Sequence, residues 1–338
     1  MKNIGGNAVI IKEININLVK ELLKNKGQAT KQEIAKESGL SFVTVGSALQ
    51  HLLQKNEIFE TKLVQSNGGR PAQQYCYNYD FAHGLIIYLY EKNEKTLINI
   101  STINLAGEIL EESEVEAENV NISTFETIIK EALEKDELIK VVSFGHHGIE
   151  LNGQIIISDY KLLEGTSFSD YFSEKYNIPV ILENDVHSAV FSFSKRRSVS
   201  ESLVYLHFPE NQGPSAGILI AGKLFKGHYN LAGEMSKLPL DIEWTKELYK
   251  SEEKLCKAIT KMIVSICYVL NPNTVILNGN NLKQEYIEKI IELCKEALPL
   301  KICPYIYLSE NFMLDYKNGL ITKALEQLEP SIRLTEKV

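Results

Sequence analysis

The chain has 338 residues, a formal net charge of −8 and an apolar fraction of 44%. That length suggests two or three domains with room for sizeable cores, and no stretch is apolar for long enough to suggest a membrane span or a secretory leader. A soluble, cytoplasmic protein is therefore expected. The five cysteines include no C-x-C or C-x-x-C pair and the seven histidines no H-x-x-x-H spacing. This argues against a zinc knuckle or a redox motif, and no metal is expected.

Charge divides the chain. Residues 1–80 hold nine lysines and one arginine against six glutamates and one aspartate, a balance of +3, which leaves −11 for the remainder. A basic head on an acidic body suggests a nucleic-acid module joined to something else. The first helical pattern runs from about Ile14 to Lys24, with Ile14, Leu18 and Leu22 as its apolar stripe, widened by Val19 and Leu23. The second starts at Thr30, where T-x-x-E with Glu33 forms a capping box, and ends at Gly39. The third starts at the cap Ser41, and Val45, Leu49 and Leu52 form its buried face. Phe42, Thr44, Ser47 and Gln50 are left on the outer face.

Two short helices about a glycine turn describe a helix-turn-helix, the second helix being the one that enters the major groove. The segment "IFETKLVQSNGGRPAQQYCYN" then reads as strand, glycine turn and strand, a wing with Arg70 near its tip. Pro71 restricts Arg70 to an extended backbone, and an arginine so mounted suits a minor groove or a phosphate. Ser41, Phe42, Thr44, Ser47, Gln50 and Arg70 are thus the candidate DNA-contacting residues. The alternative is a small helical domain whose hairpin merely connects.

The rest of the chain repeats one order of elements. Strands near 84–90, 95–101 and 108–112 precede a helix near 122–134. A strand at 139–144, a hairpin at Asn152-Gly153, a strand at 178–182 and a helix near 185–194 follow. After "KRRSVSES" come strands at 202–208, 215–221 and 223–226, and then helices at about 251–269, 283–297 and 316–328 alternating with strands at 274–278 and 304–308. This suggests two similar α/β lobes facing a cleft, a preferred ligand site.

Several stretches resemble the ROK family (repressors and sugar kinases), in its regulator branch. "SGLSFVTVGSALQHL" and "GGRPAQQYCYN" resemble its winged helix-turn-helix, "LENDVHSAV" its E-N-D-x-x-x-A-A segment, and "AGEMSKLP" its A-G-E-x-G-H stretch. The loop "GHHGIELNGQI" and "LNPNTVILNGN" match two further family segments, so the resemblance runs the length of the chain. It implies an α/β chain with an N-terminal winged helix-turn-helix and a two-lobed actin/hexokinase-like (ribonuclease-H-like) sugar kinase fold. The implied domains are 1–80 for the DNA-binding head, 81–190 plus 313–330 for the first lobe, and 191–312 for the second.

By the same resemblance Asn184 and Asp185 contact sugar hydroxyls, Asp185 standing where the kinases have their base. Glu234 accepts from another hydroxyl pair, and Gly148 matches a loop glycine. Each has a plainer alternative: a helix N-cap for Asn184-Asp185, a carboxylate paired with Lys237 for Glu234, and a turn for Gly148. His146 and His147 stand either at the cleft mouth or in an ordinary loop. Departures from the pattern are informative. The first-strand hairpin, residues 85–106, has no glycine with which to approach a phosphate, Asn278-Gly279-Asn280 replaces consecutive glycines, and Lys237 replaces the histidine with no cysteine cluster after it. Gly46-Ser47 stands where the family often has Ser-Arg in the recognition helix.

The expected protein is a DNA-binding regulator, a repressor acting as a homodimer or dimer of dimers on a double-stranded operator. Its body binds a sugar or sugar-derivative effector without phosphorylating it, uses no cofactor and touches no membrane. The alternatives are a ligand-free dimerisation scaffold and a sugar kinase that uses ATP with Asp185 as base.

Overall fold

A computed structural model describes residues 4–64, 71–93, 95–197, 202–209, 212–299 and 302–329. The chain opens with helix α1 (Ile4–Lys26), strand β1 (Gln28–Thr30), helix α2 (Lys31–Ser38) and helix α3 (Phe42–Gln54), and strands β2 (Ile58–Val64) and β3 (Ala72–Tyr77) complete a three-stranded sheet in the order β1-β3-β2. The capping chemistry read from the sequence is present. Thr30 and Glu33 form the reciprocal box, Gly39 ends α2 in the left-handed region, and the Ser41 hydroxyl accepts from the Thr44 N–H. Val45, Leu49 and Leu52 are fully buried beneath α3.

Helix α1 differs from expectation in two ways. It begins ten residues earlier than the stripe suggested, because no proline or cap interrupts the preceding residues. Its deepest residues are Val19 and Leu23, with Ile16 and Leu22 packed beside them, so the buried face is turned toward the positions expected only to widen it.

The body has two lobes of matched topology. The first contains β4 (His83–Lys92), β5 (Lys95–Ile103), β6 (Ile109–Glu116), α4 (Ile122–Lys135), β7 (Ile139–His146), the hairpin β8 (Gly148–Leu151) and β9 (Gln154–Ser158), α5 (Phe168–Tyr176) and β10 (Val180–Asn184). Its sheet runs β10-β7-β4-β5-β6, an antiparallel meander followed by two parallel strands. Helix α6 (Asp185–Arg197) leads to β11 (Leu203–His207), β12 (Ser215–Ile220), β13 (Lys223–Leu224), α7 (Lys246–Lys250), α8 (Glu252–Val269), β14 (Thr274–Asn278), α9 (Gln284–Ala297), β15 (Tyr305–Leu308) and α10 (Phe312–Leu328). The second sheet, β13-β12-β11-β14-β15, repeats the first.

Helix α5 was not anticipated. Its apolar residues Phe168 and Phe172 are followed by no longer periodic run, and they are buried in an aromatic cluster with Phe125 and Phe144. The last helix begins four residues before the expected 316, capped by the Asn311 side chain on the Leu314 N–H.

Between the sheets lie α6 and α10. One core joins Ile86 and Tyr88 of the first sheet, Tyr205 and Ile276 of the second, and Val190 and Leu320 of the two helices. The helices cross closely at Gly319, where a Cβ would run into the Ser188 carbonyl. At one end of this layer Asp315 is buried against Arg196 at 2.9 Å, Ser309 at 2.7 Å and Tyr205 at 3.1 Å. No helix among the described residues is long and apolar enough to cross a membrane.

Candidate functional site

Two surfaces carry the chemistry, a helical face on the head and the cleft of the body. On the head, Phe42 is 57% and Val43 81% exposed at the start of α3. Ser41, Ser47 and Gln50 are exposed as well, and Thr44 is half-buried. The Ser41 hydroxyl already serves the cap, 3.1 Å from the Thr44 nitrogen and 2.8 Å from its hydroxyl. Val43 escaped the sequence reading because an apolar, β-branched residue at a helix start usually belongs to a core. Arg70, with Gly68 and Gly69, lies outside the described residues.

The cleft is built by strand register. Strands β7 and β10 are parallel and pair Asn184 with His146, so both chains leave the sheet at the same edge. Ligands of α/β sheets gather at such carboxyl ends. His147 Nδ1 lies 2.8 Å from the Asp185 carboxylate and Nε2 3.1 Å from the Leu89 carbonyl. Both ring nitrogens face acceptors, so both donate and the ring is an imidazolium. Burial alone would lower His147, but the Asp185 charge and hydrogen bond outweigh it and raise the pKa to about 9. Burial alone would likewise raise Asp185, but His147 holds it down at about 2. A carboxylate held so low is a poor proton acceptor. His146, by contrast, is fully buried, and burial pushes it down to about 4. Neither histidine is an ordinary loop residue.

Asn184 takes the capping alternative. Its Oδ1 accepts from the Val186 and His187 N–H groups at 2.9 and 3.1 Å, while its amide donates to the Gly148 carbonyl at 2.9 Å. This leaves one amide N–H to offer a ligand. Gly148 starts β8 at φ 124°, and a Cβ there would strike the Ile157 carbonyl, so a side chain is excluded on two grounds.

A polar strap crosses the cleft from the second lobe. Lys226 lies 2.8 Å from Glu183 and 3.4 Å from Glu150. Asn230 donates to the Glu150 carbonyl at 2.6 Å and to its carboxylate at 2.8 Å. Burial alone would raise Glu183, but His187 and Lys226 outweigh it and hold the carboxyl at about 2. None of Lys226, Glu150, Asn230 and Glu183 was singled out from the sequence, since the strap depends on how the two lobes meet. Glu234 opens a short 3-10 turn over Met235–Lys237 and is half-buried. Burial, reinforced by the charge of Asp185, raises its pKa. The alternative pairing with Lys237 is not formed: among the described residues no ion pair joins them, and Lys237 is exposed. On the second sheet β11 and β14 end in register, which places His207 Nδ1 2.9 Å from Asn278 Oδ1, with the His207 ring stacked on Phe312 at 3.8 Å. No group of three or more His, Cys, Asp or Glu that could hold a metal occurs among the described residues.

One carboxylate of the body gathers several donors of the head, beside an apolar contact in which Leu105 of the body joins the head core. Glu329, at the end of α10, accepts from Lys24, from the Tyr77 hydroxyl and from Lys20, the last at 3.2 Å. Burial alone would raise it, but these partners hold it below the usual carboxylate range. Leu328 beside it packs against both the head core and the inter-lobe core.

Fold and site together define a two-lobed, sugar-kinase-like α/β body carrying a winged-helix head. The ROK family model matches residues 95–257 of the chain. A crystal structure of a ROK family transcriptional regulator, described as a homologue of the E. coli Mlc protein, superposes with a TM-score of 0.69 at 17% identity, covering 93% of this chain and 96% of that one. The ROK hexokinase from Thermus thermophilus matches with a TM-score of 0.57 at 17% identity, over 73% of this chain and 99% of its own. Among sequence relatives, the xylose repressor of Bacillus spizizenii is 23% identical over 76% of this chain and 71% of its own length. The xylose repressor of Bacillus subtilis is 24% identical over 74% and 68%.

Proposed function

We propose that this protein is a sugar-responsive transcriptional repressor of carbohydrate genes. The head binds a double-stranded operator, and the cleft of the body binds a sugar or sugar derivative without phosphorylating it. The observation that carries the reading is the junction at Glu329. The helix that clasps the head through this carboxylate begins, at Phe312 and Tyr316, on the floor of the cleft. A ligand that prefers one closure of the lobes would tilt α10 and with it the head. Only such a differential preference can shift the equilibrium.

Phosphoryl transfer is disfavoured because Asp185 is neutralised by His147 and the first hairpin lacks glycine. Sugar contact is assigned to the free edge of the Asp185 carboxylate, Glu234 and the remaining Asn184 N–H, with Lys237 at the rim. The strap from Lys226 also supports a second reading, a scaffold whose lobes are held shut without ligand.

A thermal-shift screen with xylose, other pentoses, hexoses and sugar phosphates, followed by DNA-binding titration with each hit, decides among these readings. At a ligand concentration 100-fold above its Kd, stabilisation of about 2.7 kcal/mol is expected, together with a changed DNA affinity. A flat screen selects the scaffold. Sugar-dependent ATP turnover abolished by Asp185→Asn selects the kinase.

A further inference from the structure

We propose that Lys31 supplies the phosphate-contacting cation of the DNA-binding face, filling the space above Gly46 that a side chain of the recognition helix would otherwise occupy. The inference rests on the reading of the head as a DNA-binding module. Lys31 is the first residue of α2 and is half-buried. Its ammonium stands 4.1 Å from the centre of the Phe42 ring, at the N-terminal end of α3 where base edges and flanking phosphates approach. A Cβ built on Gly46 would collide with that ammonium and lie 3.0 Å from Lys31 Cε. Any residue but glycine at position 46 therefore displaces Lys31.

The helix tolerates this glycine although glycine in a helix interior costs about 1 kcal/mol against alanine. No carboxylate pairs with Lys31 among the described residues. The neighbouring Glu33 is engaged by the Thr30 N–H at 2.7 Å and the Thr30 hydroxyl at 2.8 Å. The Phe42 ring holds a long, flexible side chain in one direction, and a cation–π contact of this kind leaves the ammonium hydrogens free for an anion. Charge that the recognition helix lacks at Gly46-Ser47 is thereby returned from the helix before it. Each phosphate contact contributes about 0.9 to the slope of log affinity against log salt.

The test measures binding by fluorescence anisotropy at several salt concentrations between 50 and 200 mM. It uses a duplex from the region upstream of the protein's own gene and a random-sequence duplex. Lys31→Gln is expected to lower the slope by about 0.9 on both duplexes, so that its affinity loss is about 3.5-fold larger at 50 mM than at 200 mM. Gly46→Arg alone should leave the slope unchanged, because the new side chain and Lys31 compete for one space, whereas Lys31→Gln combined with Gly46→Arg should restore it. A Lys31→Gln protein that binds with the wild-type slope overturns the assignment. So does a Gly46→Arg protein whose slope rises by a further 0.9 or so, since the two positions would then be independent. Wild-type protein that binds neither duplex overturns the DNA-binding reading itself, and the assignment with it.

Discussion

The His147–Asp185 pair makes a quantitative prediction about stability and pH. In the unfolded chain an imidazole titrates near 6.5, whereas His147 in the folded protein titrates at about 9. Its pKa is raised on folding, so its contribution is fully present below pH 6.5, declines between 6.5 and 9, and is absent above that window. At 1.36 kcal/mol per pH unit the window is worth about 3 kcal/mol. The depressed carboxyl of Asp185, at about 2 against an ordinary 3.8, reports the same interaction from the acid side. That contribution is present above pH 3.8 and lost as pH falls through 2. One ion pair produces both shifts, so they are not summed.

The variant His147→Gln keeps a hydrogen-bond donor beside Asp185 but removes the charge. Urea unfolding at pH 6, 8 and 10 should find it about 3 kcal/mol less stable than wild type at pH 6 and nearly equal to it at pH 10. The comparison must be a difference between the two proteins. Burial pushes the Cys267 and Cys294 thiols up to about 11 and about 12, so both proteins lose stability above pH 8.5 as unfolded thiols ionise. A stability difference that stays constant from pH 6 to 10 would refute a charged His147, and with it the argument that Asp185 is too weak a base for phosphoryl transfer.

Two further outcomes follow from the same geometry. Asn184→Ala removes two capping hydrogen bonds on α6 and the donor to Gly148, and should cost about 1–2 kcal/mol, a Tm lower by about 1–3 °C in a calorimetric scan for a chain of this size; a neutral substitution would contradict the capping role. Glu329→Gln should keep both DNA binding and any sugar-induced thermal shift while reducing the factor by which sugar alters DNA affinity toward one. A coupling unchanged in that variant would show that α10 does not carry the signal.

What could be read in advance was local. The Thr30 box, the Gly39 stop, the Ser41 cap and the Asn152-Gly153 hairpin each depend on residues a few positions apart, so their chemistry is visible in the order of letters. The repeated strand-helix order implied two lobes for the same reason, because apolar periodicity is a property of each segment. The resemblance placed Asp185 and Glu234 at a cleft but not their partners.

Those partners belong to tertiary structure. The parallel register of β7 and β10 brings His147 to Asp185, and the meeting of the lobes brings Lys226 to Glu183 and Glu150. The Lys24–Glu329 contact spans 305 positions of sequence. Lys31 filling the space above Gly46 is of the same kind, since neither residue by itself announces the other. Sequence by itself determined most of the helices and strands, α5 excepted, and the buried face of α3, because these follow from short-range capping and periodicity. Only the packed structure decided which charges meet, because an ion pair depends on distance in space, and folding brings together residues that the chain keeps far apart.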